Sequence, residues 1–88
     1  MRIVYANQFK KDYKKVEKQN KDLNKLRLVV GKLVAKERLE TKYQDHPLTG
    51  DWKGFRDCHI EPDWILIYKT TGDTLILERT GSHSELFK

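Results

Sequence analysis

Asp57-Cys58-His59-Ile60-Glu61-Pro62-Asp63-Trp64-Ile65-Leu66-Ile67-Tyr68 is the stretch whose reading decides the fold. The run Trp64 to Tyr68 mixes aromatic and β-branched residues, as a largely buried strand requires. Glu61-Pro62-Asp63 before it suits a tight turn, because proline fixes φ at the second turn position and aspartate follows well. The turn predicts a hairpin that sets His59, at the end of one strand, beside Asp63, at the start of the next. Cys58 then points to the opposite face from His59 and reads as a small buried hydrophobe.

Working outward, Trp52 to Ile60, Asp63 to Thr70 and Thr74 to Thr80 read as three antiparallel strands. Gly72-Asp73 supplies the second hairpin turn, since glycine provides the positive φ that such turns need. On the amino-terminal side, Arg2 to Ala6 reads as a first strand. Asn7 is expected to cap a helix over residues 8–19, with Phe9, Tyr13 and Val16 at helical spacing. Asp22 caps a second helix to about Lys36, whose stripe is Leu23, Leu26, Val30, Leu33 and Val34. Gly31 inside it suggests a close approach of the two helices. The fold expected is α+β: an antiparallel sheet with an amino-terminal helical hairpin packed on one face. Residues 1–88 read as one domain, with no repeat, low-complexity tract or linker.

The charge is unevenly distributed. Residues 1–42 carry 13 Lys/Arg against 5 Asp/Glu, a net +8, whereas residues 43–88 carry 5 against 8, a net −3. A basic helical half beside a histidine-bearing half suggests a phosphate-binding footprint next to a chemical site. No apolar run approaches a membrane span, and the start lacks the apolar core of a signal peptide. One cysteine forms no internal disulfide, so a cytoplasmic location is expected.

All three histidines fall in the sheet half: His46 before Pro47, His59 at the hairpin, and His83 after Gly81-Ser82. A zinc site made from His46, His59, His83 and Asp63 lacks the close ligand spacing of structural sites, so no metal or other cofactor is expected. Ser82, Ser84 and Cys58 lack the context of a nucleophile. Imidazoles, a carboxylate and Arg79 beside a basic surface do fit RNA cleavage. One group takes the proton of the ribose 2′-hydroxyl and another protonates the leaving 5′-oxygen, which histidine can do near neutral pH. Arg79 would offset charge on the phosphorane, and an aromatic ring would stack on a base.

Asp45 to Tyr68, then Glu78-Arg79-Thr80-Gly81-Ser82-His83, then Leu86-Phe87, resembles the YafQ branch of the RelE/ParE superfamily of bacterial type II toxins. Over residues 1–42 the similarity is one of pattern, together with Lys21 to Leu26. The resemblance implies a RelE-like fold and a ribosome-dependent mRNA endonuclease held by a cognate antitoxin with an acidic tail. It implies ribosome and mRNA as partners, no membrane, and DNA contact only through the antitoxin. The family's functional positions match at His46, His59, Asp63, Trp64, Arg79, His83 and Phe87. Of these, His46, His59, Asp63, His83 and Arg79 are expected to be catalytic, and Trp64 and Phe87 to bind substrate. Two other readings stay open: a non-enzymatic toxin of the same fold that binds DNA gyrase, and a basic RNA-binding module.

Overall fold

The computed structural model describes residues 1–87. The chain runs β1 (Arg2–Tyr5), α1 (Asn7–Lys18), α2 (Leu23–Val34), β2 (His46–Pro47), β3 (Arg56–Glu61), β4 (Trp64–Thr71), β5 (Thr74–Gly81) and α3 (His83–Leu86). Short 3₁₀ turns at Thr41–Tyr43 and Gly50–Trp52 flank β2. The five strands form one sheet in the order β1-β5-β4-β3-β2. It is mixed, because β1 lies parallel to β5, with Arg2 opposite Thr74 and Tyr5 opposite Leu77.

The α+β expectation and the helical hairpin hold, with differences that have local causes. Asn7 is the first helical residue, and Ala6 occupies the cap position with no side-chain hydrogen bond. Asp22 does cap α2, accepting from the Asn24 N–H at 3.0 Å. Gly31 is exposed, and a side chain there would meet nothing within 4 Å, so close helix contact is not its reason. The strand expected from Trp52 starts only at Arg56, since residues 50–52 coil into a turn.

Two cores sandwich the sheet. Phe9, Val16, Leu26, Val29 and Leu33 of the helices meet Cys58, Trp64, Leu66, Tyr68, Leu75 and Leu77. On the other side a smaller cluster joins Ile65, Ile67 and Leu86, flanked by Leu48, Trp52, Phe55 and Phe87. The alternation along β4 divides its residues between the two faces, as a strand buried on both sides must. Ile65 and Ile67 are fully buried, each contributing about 1.5–3 kcal/mol.

The small second core holds α3 in place. Gly81 stands opposite Ile65, and a Cβ there would come within 3.1 Å of Glu85 Oε1 and 3.5 Å of Leu86 Cδ2. Its φ of +156° also favours glycine. The bare backbone lets α3 fold back onto the sheet. Ser82 and Glu85 then form a capping box, and Lys15 of α1 pairs with Glu85, tying α3 to the first helix.

Candidate active site

The register explains how four distant residues come to share a patch. His46 on β2 faces Asp57 on β3, Asp57 faces Ile67 on β4, and Ile67 faces Arg79 on β5. One row along, His59 faces Ile65, which faces Gly81. Asp57 and His59, two residues apart, share a face. His83, at the start of α3, completes the group from above: its ring centroid lies 5.2 Å from that of His59, edge to face. The structure therefore brings all three histidines to one side of the sheet.

The hairpin does not place His59 against Asp63 as the turn predicted. A register shift between His59 and Glu61 leaves Ile60 as an extra residue, which re-aims the end of β3. Asp63 instead serves His83. Its Oδ1 accepts from the His83 backbone N–H at 3.2 Å and lies 3.5 Å from Nδ1 of the same residue.

His46, expected on a surface loop, is half-exposed and anchored. Its Nδ1 lies 2.8 Å from the Gln44 carbonyl oxygen and 3.0 Å from Asp57 Oδ1. The loop beneath it is pinned at Asp45, which accepts from the Tyr68 hydroxyl at 2.6 Å and from Arg56 at 3.3 and 3.4 Å. Burial, with the Asp45 hydrogen bond, holds the Tyr68 phenol above its ordinary range, so it stays a donor.

Arg79 is not free. Its Nε and Nη2 donate to the two oxygens of Asp12 at 2.7 and 3.3 Å, and Asp12 also accepts from the Thr80 N–H at 3.1 Å. β1 ends opposite Leu77, so α1 covers the edge of β5 beyond it, and Asp12 satisfies that edge. Phe87 is half-buried, 5.9 Å from the His83 ring and 6.5 Å from Trp52.

Trp64 requires a correction. The substrate-binding role expected for it needs an exposed ring, yet Trp64 is 0 % exposed, in the helix-side core. Its indole N–H donates to Thr80 Oγ1 at 2.9 Å, and that hydroxyl donates in turn to the Ile65 carbonyl at 2.8 Å. The ring lies on the same face as Leu66 and Tyr68, away from the histidines.

Sequence reasoning missed Asp57 altogether. It is buried, and no hydrogen-bond donor reaches its Oδ1. The His46 Nδ1 lies 3.0 Å away, but its hydrogen bond is with the Gln44 carbonyl. Burial raises the Asp57 pKa above the usual carboxylate value, while positive charge on His46, His59 and His83 opposes the rise. Among the described residues no group of three His, Cys, Asp or Glu is arranged to hold a metal ion. Cys58 is fully buried on the other face, and burial pushes its thiol upward, which suits an inert core residue.

Comparison with known proteins bears on this patch. The family model described as a bacterial toxin of type II toxin-antitoxin system, YafQ, matches residues 1–88. The chain is 51% identical over 86 residues to the mRNA interferase toxin YafQ of Escherichia coli strain K12, covering 97% of this chain and 94% of that protein. It superposes on the toxin in a crystal structure of the E. coli DinJ-YafQ complex with a TM-score of 0.92, at 50% identity and full coverage of both chains. It also superposes on a metal-bound toxin from Helicobacter pylori with a TM-score of 0.92, at 46% identity over 99% of each.

Proposed function

The chain belongs to the YafQ family of toxins from bacterial type II toxin-antitoxin systems, and from that membership we propose that it is a ribosome-dependent mRNA endoribonuclease. The observation that carries the reading is the convergence of His46, His59 and His83 on one sheet face, above Asp57 and beside Asp63. A gyrase-binding toxin or a plain RNA-binding module has no use for such a cluster.

The reaction needs a base for the 2′-hydroxyl and an acid for the departing 5′-oxygen. Attack of the 2′-oxygen forms a new bond to phosphorus and breaks the bond to the 5′-oxygen, leaving a cyclic phosphate and a free 5′-hydroxyl. Two imidazoles in different protonation states supply both proton transfers, each worth roughly 10²–10⁴-fold in rate. Asp63 holds His83 in place. Phe87, beside His83, offers a ring for an unstacked base. Arg79 keeps one guanidinium edge, Nη1, for phosphate while Asp12 fixes the rest of the fork. The lysines of α1 approach ribosomal RNA, and the toxin acts in the cytoplasm.

The DinJ-YafQ complex supports a cognate antitoxin as partner. The +8 charge of the amino-terminal half favours an acidic antitoxin segment there. DNA is reached only through that antitoxin.

The test is cleavage of mRNA on translating ribosomes by the purified protein, with and without EDTA, beside His46→Ala, His59→Ala and His83→Ala. The expected result is cleavage by the wild type that survives chelation and falls sharply in each variant. Full toxicity in all three variants would overturn the nuclease reading. Loss of activity with EDTA, restored by added metal, would replace acid–base chemistry by a metal-dependent reaction; the metal-bound H. pylori relative makes this arm necessary.

A further inference from the structure

Two carboxylates of the described chain are buried, Asp12 and Asp57, and the fold treats them differently. Asp12 receives Arg79, the Thr80 N–H and the Gln8 amide. Asp57 has no donor on Oδ1. A buried carboxylate left without a partner works against folding. Its retention calls for another reason.

That reason lies at 3.0 Å. His46 Nδ1 has two near neighbours, Asp57 Oδ1 and the Gln44 carbonyl, and both are acceptors. Nδ1 must therefore carry the ring proton, which leaves the lone pair on Nε2. The arrangement is built at some expense. Gln44 adopts the left-handed conformation at φ 47°, which a non-glycine residue rarely does. The neighbouring Asp45 is tied down by Tyr68 and Arg56. A strained residue, a pinned loop and an unpartnered carboxylate all converge on one imidazole.

We propose that Asp57 is a positioning residue for His46: while the Gln44 carbonyl takes the Nδ1 hydrogen bond, the carboxylate 3.0 Å away favours the Nδ1-protonated ring by its charge and offsets the imidazolium charge formed when Nε2 takes the 2′-hydroxyl proton. The proposal rests on the ribonuclease reading for its reaction, though not for its geometry. It makes His46 the base. The proton for the 5′-oxygen then comes from a second, protonated imidazole of the cluster. The charged groups acting on Asp57 are His46 from β2, His59 from β3, His83 from α3 and Asp45 from the loop before β2. Burial raises the Asp57 pKa, and any positive charge that forms on these imidazoles opposes the rise.

Asp57→Asn keeps the size and removes the charge. On ribosomes its kcat should fall by about 10–100-fold, the usual loss when a partner behind a functional group is changed. KM should barely move. The acidic limb of the kcat profile should shift to lower pH by about one unit, because a nearby anion no longer favours the charged ring. In a His46→Ala background the same change should cost nothing further. The variant should melt no lower than the wild type at neutral pH. Full kcat with an unmoved acidic limb, an equal loss in the His46→Ala background, or a loss that tracks a lowered melting temperature would each overturn the proposal. NMR titration of the imidazoles in the ribosome-free protein separates it from the nuclease reading. A His46 midpoint that drops in Asp57→Asn supports the contact even if the wild type proves not to cleave RNA. An unmoved midpoint overturns it even if the wild type does.

Discussion

Asp63 holds His83 by its backbone as well as its ring: Oδ1 accepts from the His83 N–H at 3.2 Å and stands 3.5 Å from Nδ1. Both residues are largely exposed, so the pair adds little to stability. Its effect is to fix where α3 begins, and so where the His83 ring points. Asp63→Ala is therefore expected to slow cleavage by about 10–100-fold with ribosome binding nearly unchanged. Asp63→Asn keeps an acceptor for the backbone N–H and should lose less. Equal losses in both variants would assign the effect to charge rather than placement. Single-turnover cleavage beside a ribosome pelleting assay decides between them.

Trp64 is a folding residue, and its variants should behave accordingly. Trp64→Ala should cost about 3–5 kcal/mol, the range for emptying a large aromatic from a core. A marginally stable small domain has about 5–15 kcal/mol in all. Trp64→Phe should retain kcat once folded, at reduced melting temperature. A stably folded Trp64→Phe protein that loses more than tenfold in kcat would return the ring to the substrate.

The anchor of α3 has a pH signature. The Lys15 ammonium, helped by Ser82, lowers the Glu85 pKa to about 2. A carboxylate depressed on folding stabilises the native state above its unfolded value, and that stability is lost as pH falls toward the folded one. Glu85→Gln should thus melt below the wild type at neutral pH, with the gap closing between about pH 4.5 and 2. A gap that stays constant down to pH 2 would mean that the ion pair contributes nothing.

Lys10 and Lys14 rim a groove of about 540 Å³ between α1 and α2, floored by Phe9, Tyr13 and Leu26. Neutralising Lys10, Lys14 and Lys18 together should weaken ribosome association and flatten its salt dependence. The log–log slope should drop by about 0.7–0.9 for each phosphate no longer neutralised. A slope unchanged in the triple variant would remove α1 from the ribosome interface.

The hairpin at Glu61-Pro62 and the apolar stripes of both helices were legible because each rests on local chemistry: turn residues, periodicity and an Asp22 cap. The histidines were legible as a set, but their partners were not. His83 meets Asp63 across 20 residues, and Asp12 meets Arg79 across 67, pairings that no spacing announces. Asp12 did leave a trace, being acidic on the Phe9–Val16 stripe of an otherwise basic helix. The short α3 left one too, in the Ser82 to Glu85 capping spacing just before Leu86. Trp64 was misjudged although parity held the answer. Leu66 and Tyr68 take its face, and the register sets Leu66 opposite Cys58, the residue already turned away from His59.

The parallel pairing of β1 with β5 sets an order of events at the chain's birth. Arg2 has no partner until Thr74 has been made, and the His83 end of the histidine patch follows later still. Until then β1 stays unpaired, since contacts this distant in sequence form last. A polypeptide that has not yet reached His83 cannot bring the three histidines together, so the patch assembles only after β5 and α3 have been made. The same interval leaves the basic helices without the strands β4 and β5 that their apolar face packs against.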